Sequence, residues 1–240
     1  MSLHNASLKE LQVEIARRES CLKMPKNNII LLGPPGAGKG TQSNFIIEKF
    51  CYCQISTGDL LRDNISRKTS VGLKAKEFMD KGALVPDDVV NELILNAVNS
   101  PSCERGVIFD GYPRNQAQAE NLDVLLGSVG RKLDKVVELK VDEEALFERI
   151  SGRRIHQASG RSYHIKFNPP KVPDVDDVTG EPLVQRPDDK VETLKARIDV
   201  YNQKTAPIAS YYQKKHLLKS IDAMQKINQI QDQIKNILLH

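Results

Sequence analysis

The sequence predicts an α/β fold, a parallel sheet covered by helices with a phosphate-binding loop after its first strand. Three observations carry this reading. Short apolar runs alternate with longer segments of helical spacing, glycines and a lysine crowd the stretch from Gly33 to Thr41, and one proline-rich insertion breaks the alternation.

The chain has 240 residues, 40% hydrophobic and 28% charged, enough to bury a sizeable core. Lys+Arg 35 against Asp+Glu 31 leaves a net charge of +4, which argues against a protein that coats DNA or RNA. No apolar stretch approaches the roughly 20 residues that cross a bilayer. Glu10, Glu14 and Glu19 fit neither a secretory signal nor an acid-poor transit peptide. Cys21, Cys51, Cys53 and Cys103 contain no CxxC pair and read as free thiols in a reducing compartment, Cys51 and Cys53 as strand core. A soluble intracellular globular protein is expected.

Residues 1–26 form a predicted N-terminal helical extension. Ser7 and Glu10 make a capping box, Leu8, Leu11 and Ile15 share one face, and Pro25 stops the helix. The stripe is expected to pack on the main body, with a partner- or membrane-docking helix as the alternative. Strands follow at 29–32, more weakly at 52–55, and then at 107–109, 136–141 and 217–221. Helical spacing fills 42–50, 88–99 and 143–153, and residues 57–86 are helix-rich. A terminal helix is predicted from Asp222 as N-cap, with Ile227, Ile230, Ile234 and Ile237 on one stripe. Residues 155–187 hold five of the twelve prolines together with Gly160 and Gly180, which excludes helix and predicts a functional flap.

Gly33-Pro-Pro-Gly-Ala-Gly-Lys-Gly-Thr41 follows the first strand and opens a helix. Its glycines let the backbone turn N–H groups inward, the helix start favours anions, and Lys39 adds a mobile positive charge. This predicts nucleoside triphosphate binding. The usual hydroxyl directly after the lysine is replaced by Gly40, with Thr41 next. A guanine-reading Asn-Lys-x-Asp segment does not occur, and Asp177-Val-Thr-Gly180 lies inside the insertion rather than at a strand end. A GTPase is therefore not expected.

Ser56-Thr-Gly-Asp-Leu-Leu-Arg62 follows the second strand and Asp110-Gly-Tyr-Pro-Arg114 the third, so both loops should converge with the phosphate loop at the carboxyl ends of the sheet. Arg149, Arg153 and Arg154 enter the insertion, Arg186 leaves it, and Arg197 follows. Guanidinium groups gathered at loop hinges suit a substrate rich in phosphate.

From Asn28 to about Gln213 the chain resembles the long-lid adenylate kinases, which exchange a phosphoryl group between ATP and AMP. The matching stretches are GPPGAGKGT, QISTGDLLR, DGYPR, GRRIHQASGRSYHIKFNPPK, DDVTGEPL and QRPDDK. The resemblance implies a P-loop nucleotide kinase with five parallel strands, a core domain from 27–55, 86–151 and 190–240, a helical AMP-binding lobe at 56–85 and a small β-rich lid at 152–189.

Carried over residue by residue, the resemblance places the ATP phosphates on Gly36, Ala37, Gly38, Lys39, Gly40 and Thr41, with Lys39 on the transferred group. Arg149 and Arg153 would lie on the ATP side, Ser162 and Tyr163 would border the base, and Gln225 would sit near it. AMP would be held by Thr57, Arg62, the backbone of Ala83, Leu84 and Val85, the loop Gly111, Tyr112, Pro113 and Arg114, and Gln118 at the adenine edge. Arg114, Arg153, Arg186 and Arg197 would clamp the reacting phosphates, steadied by Asp188 and Asp189. Asp110 would hold Mg²⁺ through water. Tyr112 stands where Phe is usual, Asn115 where Thr is usual and Gln157 where Pro is usual; none of these removes a charge.

Some relatives hold the lid with zinc on four cysteines spaced x2, x16 and x2. The corresponding residues here are His156, Ser159, Asp176 and Thr179, a poor zinc set, so no structural zinc is expected.

The expected reaction is direct in-line transfer from ATP·Mg²⁺ to AMP, giving two ADP, without a protein nucleophile and under a closed lid. A GTP:AMP phosphotransferase is the alternative donor reading; in such relatives Asn usually follows the lid Tyr, whereas His164 follows Tyr163 here. A catalytically inactive nucleotide-binding module is the alternative from another class, opposed by the full set of cations. A cytoplasmic monomer is expected, with the mitochondrial intermembrane space as the other compartment.

Overall fold

The first strand, β1 (Asn28–Leu32), is almost continuously apolar because it is buried on both faces. Ile29 and Leu31 point to one side of the sheet, Ile30 and Leu32 to the other. The computed structural model describes residues 7–240, apart from the side chains of Val191 and Glu192.

After α1 (Leu8–Leu22) and β1 come α2 (Lys39–Phe50), β2 (Cys53–Ser56), α3 (Thr57–Ser66), α4 (Ser70–Asp80) and α5 (Asp87–Val98). Then follow β3 (Val107–Asp110), α6 (Gln116–Ser128), β4 (Lys135–Lys140) and α7 (Glu143–Ser151). The chain ends with β5 (Arg153–Ile155), β6 (Ser162–His164), α8 (Val191–Val200), α9 (Ile208–Lys214), β7 (Leu218–Asp222) and α10 (Ile227–Leu239). Five strands form one parallel sheet in the order β2-β3-β1-β4-β7. Side chains of α5, α6 and α9 pack on one face, and those of α2 and α10 on the other. The proline-rich insertion carries only the antiparallel pair β5-β6 and isolated bridges such as Ile155 with Val184, as its composition requires.

Three expectations are corrected. The α1 stripe does not pack on the body: Leu8 is 73% exposed and Ile15 56%, and Cys21 alone is buried on this helix. The helix is held at its C-terminal end instead. Arg105 Nη2 donates to the carbonyls of Cys21 (2.5 Å) and Met24 (2.8 Å), and Arg17 Nη1 donates to the last turn of α2 at Glu48 O (3.2 Å). Guanidinium groups suit these positions because the final carbonyls of a helix lack intrahelical partners.

The cysteines are not free thiols. Cys21 is bonded to Cys51 and Cys53 to Cys103, so none remains free among the described residues. Cys51 is not on a strand, whereas Cys53 is, and packs against the core from the sheet edge. Cys51 caps α2, Cys53 opens β2, and both are half-buried.

The terminal helix begins at Ile227, not after Asp222. Asp222 closes β7 and its Oδ1 accepts from Met224 N at 2.8 Å, so its capping capacity serves a turn. The buried stripe is Ile230, Ile234 and Leu238, while Ile227 is 40% exposed.

Candidate active site

A cleft of about 900 Å³ opens at the carboxyl ends of the sheet strands, where an open α/β fold collects its loops. Its wall begins with the turn between β1 and α2. Gly36 has φ +84°, and a Cβ there would lie 2.9 Å from Ile150 Cγ1, so the loop must pass without a side chain. Gly38, at φ +94°, caps α2 and exposes its first N–H groups. Lys39 Nζ folds back on its own loop, donating to Gly33 O at 2.8 Å and Pro34 O at 3.0 Å. Burial pushes Lys39 down to about 8, despite the nearby Asp110 carboxylate.

The loop after β3 forms the opposite wall. Gly111 O accepts from Thr57 Oγ1 and from Arg114 Nε, both at 2.7 Å. The Tyr112–Pro113 peptide is cis. Tyr112 OH donates to Asn91 Oδ1 at 2.6 Å, so the hydroxyl that replaces the usual Phe has a partner. Gln118 is 2% exposed; its Oε1 accepts from Arg114 N at 2.7 Å and its Nε2 donates to Asp87 at 2.6 Å. Ala83, Leu84 and Val85 line the same end.

Between the walls stand the arginines. Arg153 and Asp189 are paired through two hydrogen bonds, one at 2.8 Å through Nε, and Asp189 is fully buried behind the cleft. Arg197 Nη1 lies 2.9 Å from Asp188 and 3.5 Å from Asp189. Arg186 reaches Asp59 at 3.3 Å, and Arg62 meets the same oxygen at 2.6 Å. Among the lining residues described, eight side chains are Lys or Arg (Lys39, Arg62, Arg114, Arg149, Arg153, Arg186, Arg197, Lys226), against three carboxylates (Asp59, Asp110, Asp188). Burial and mutual repulsion push Arg114 and Arg186 down to about 10. Although burial works the other way, Arg197 and Arg62 hold the Asp188 carboxyl below its usual range. Such a cluster of cations is costly unless an anion enters.

Every anticipated residue except Asp189 lines this cleft or, for the phosphate loop, forms its rim. Arg149 Nη2 donates to Ala223 O at 2.8 Å. Gln225 lines the cleft, and its Oε1 accepts from Gln233 at 2.8 Å. Tyr163 lines it too, but its hydroxyl is turned into the insertion, donating to Asp176 Oδ1 at 2.9 Å. The lining residues not anticipated include Gln54, Asp59, His164 and Phe167. Gln54 Nε2 donates to Asp110 Oδ2 at 3.0 Å, and the rings of His164 and Phe167 stack with centroids 4.5 Å apart. Asp59 sits inside the Ser56–Arg62 motif, where it reads only as a first-turn acid.

In the insertion, His156 Nδ1 lies 2.7 Å from Ser159 Oγ and its Nε2 2.5 Å from Glu181. Asp176 accepts from Arg161 and Thr179, and these donors, Arg161 above all, hold its carboxyl well below the usual range. The four residues at the zinc positions are thus engaged in hydrogen bonds.

A family model described as adenylate kinase matches residues 31–217. The chain is 47% identical over 237 residues to adenylate kinase 4 of Oryza sativa subsp. japonica, covering 99% of this chain and 98% of that protein. It is 46% identical over 236 residues to adenylate kinase 4 of Arabidopsis thaliana, covering 98% and 96%. Against the adenylate kinase of Aspergillus terreus it is 46% identical over 226 residues, covering 94% and 88%.

Proposed function

The chain belongs to the adenylate kinase family, and from that premise we propose how its cleft transfers a phosphoryl group between ATP and AMP. The observation that carries the proposal is the convergence of eight cationic side chains between the glycine loop and the Gly111–Arg114 loop.

ATP lies with its phosphates on the N–H groups of Gly36 to Thr41, and Lys39 exchanges its two loop carbonyls for phosphate oxygens. Arg149, Ser162, Tyr163 and Gln225 border the ATP end, joined by the stacked His164 and Phe167. AMP lies against Thr57, Arg62, Ala83, Leu84, Val85 and the Gly111–Arg114 loop, with Gln118 at its base. Arg114, Arg153, Arg186 and Arg197 then bracket the transferring group. Their charge spreads over its equatorial oxygens while an AMP phosphate oxygen attacks in line. Asp188 and Asp189 fix the guanidinium planes of Arg197 and Arg153 before substrate arrives, which lowers the cost of reorganisation.

Magnesium fits this donor set. Asp110 and the Thr41 hydroxyl offer hard oxygens at the mouth of the phosphate loop, and phosphate and water supply the remaining positions. Asp110 would hold the ion through water, and the ion would neutralise charge on the β- and γ-phosphates.

Residues 152–189 act as a lid and 56–85 as the AMP lobe, around a core of 27–55, 86–151 and 190–240. The Arg186–Asp59 contact joins the two mobile parts and favours exclusion of water. His164 after Tyr163 favours ATP over GTP as donor, by resemblance to ATP users. Two disulfides favour an oxidising compartment, hence the intermembrane space over the cytoplasm. A monomer suffices, since every named group comes from one chain.

Two adenosines joined by five phosphates test the placement. Calorimetric titration should give one site per chain, weakened at least 100-fold in Arg153→Ala, and the crystal structure of the complex should put its phosphates on the arginines named. Two independent sites per chain, or unchanged affinity in the variant, would refute it.

A further inference from the structure

A primary amide is nearly symmetric in shape but opposite in hydrogen-bonding sense at its two ends. Gln118 is gripped at both. Its Oε1 accepts from the backbone N–H of Arg114 at 2.7 Å, and its Nε2 donates to Asp87 Oδ1 at 2.6 Å. Asp87 belongs to the first turn of α5 and does not line the cleft, whereas Gln118 does. The carboxylate is itself fixed, since Asn115 Nδ2 donates to its two oxygens at 3.0 and 3.2 Å. Asn115 also caps α6, its Oδ1 accepting from Gln118 N at 2.8 Å. A flipped amide would set Oε1 against the carboxylate and Nε2 against the Arg114 N–H, two repulsive contacts in a buried position. An ionised carboxylate accepts only, so it admits one orientation; an amide at position 87 would keep that orientation if its Oδ1 still accepts from Asn115 and Gln118.

With those two bonds made, Gln118 keeps one N–H and one lone pair for a ligand. That pair complements a purine edge whose ring nitrogen accepts and whose exocyclic group donates. A 6-oxopurine shows the reverse, a protonated ring nitrogen beside a carbonyl. We propose that Asp87 is a positioning and specificity-determining residue: by locking the Gln118 amide it makes the acceptor-nucleotide pocket select a 6-aminopurine monophosphate over its 6-oxo counterpart. The proposal rests on the reading above that Gln118 faces the base of the acceptor nucleotide.

The test compares AMP with IMP, which differs only in its 6-substituent and the proton on the adjacent ring nitrogen, at saturating ATP and Mg²⁺. Asp87→Ala should raise KM for AMP about tenfold, leave kcat within about twofold, and cut the AMP:IMP ratio of kcat/KM about tenfold or more. Asp87→Asn, whose Oδ1 can still accept from Gln118, should keep KM and the ratio within about threefold of the original protein. That rescue separates positioning from loss of fold. An unchanged AMP:IMP ratio in Asp87→Ala, or parallel losses in kcat and KM for both nucleotides, overturns the proposal. Gln118→Ala locates the failure. If it collapses the ratio while Asp87→Ala does not, only the role of Asp87 falls; if it leaves both KM for AMP and the ratio unchanged, the placement of the base falls with it.

Discussion

Asp59 and Arg186 meet across the cleft at 3.3 Å, the first from the opening turn of α3 and the second from the end of the proline-rich insertion. The same carboxylate oxygen holds Arg62 at 2.6 Å, so one acid separates two guanidiniums that would otherwise repel. Asp59 is about half exposed, and such a pair contributes at most about 1 kcal/mol to stability. Its larger effect is expected on catalysis. Asp59→Asn should lower kcat/KM for AMP by about 5- to 20-fold, with the melting temperature moving less than about 3 °C. Steady-state kinetics beside calorimetry decides the matter; a large thermal shift with intact kinetics would make the contact merely structural.

Arg114 is built into the wall of the cleft. Its Nε donates to Gly111 O, and its own carbonyl accepts from Thr205 Oγ1 at 2.8 Å. Arg114→Ala should cost about 3–4 kcal/mol of transition-state stabilisation, roughly 10²- to 10³-fold in kcat. Arg114→Lys should recover part of this, because a point charge replaces the fork without its geometry. Near-normal turnover in the alanine variant would place the chemistry elsewhere.

The legible parts of this chain are those where one short segment carries the whole signal. The glycine loop shows its strand, turn, lysine and helix start in consecutive residues, and the arginines fall at loop hinges set by strand–helix alternation. What escaped depends on partners distant in sequence. Asp222 has the chemistry of a helix cap, but Met224 N takes its carboxylate and the helix waits until Ile227. The stripe of α1 has the right period, yet the pull of Arg105 and Cys21 at one end decides where the helix sits. Asp59 and Asp87 read as ordinary first-turn acids until Arg186 and Gln118 stand beside them.

The disulfides give a separate prediction. Cys21–Cys51 and Cys53–Cys103 span 30 and 50 residues and lie at the amino ends of the strands, away from the cleft. Each should stabilise by about 2–4 kcal/mol through restriction of the unfolded chain. Reduction should therefore lower the melting temperature by roughly 8–16 °C for a protein of this size while leaving kcat at 25 °C within about twofold. Thermal melts and assays with and without reductant, with mass spectrometry of alkylated protein to count thiols, measure both effects.

Lys39 gives the pH dependence. Burial among cations moves its ammonium from the usual 10.5 down to about 8 in the free protein. A polyphosphate bound against it supplies the missing counter-charge and returns the value towards 10.5 or above. Binding of ATP is then coupled to proton uptake where free protein and complex differ in protonation, beginning below about pH 8 and largest between about pH 8 and 10.5. The uptake at Lys39 should be about a quarter of a proton at pH 7.5 and close to one at pH 9, so affinity weakens as pH rises through this window. The contribution to folding has the opposite sign: the unfolded lysine binds a proton that the free folded protein has released, so this group favours the fold more as pH rises from 8 to 10.5. Calorimetry of ATP binding in two buffers of different ionisation enthalpy reads the uptake directly, and Lys39→Met should abolish it. An uptake near zero at pH 9 in the unsubstituted protein would mean that the Lys39 ammonium stays charged without phosphate, and that its two loop carbonyls already offset its burial.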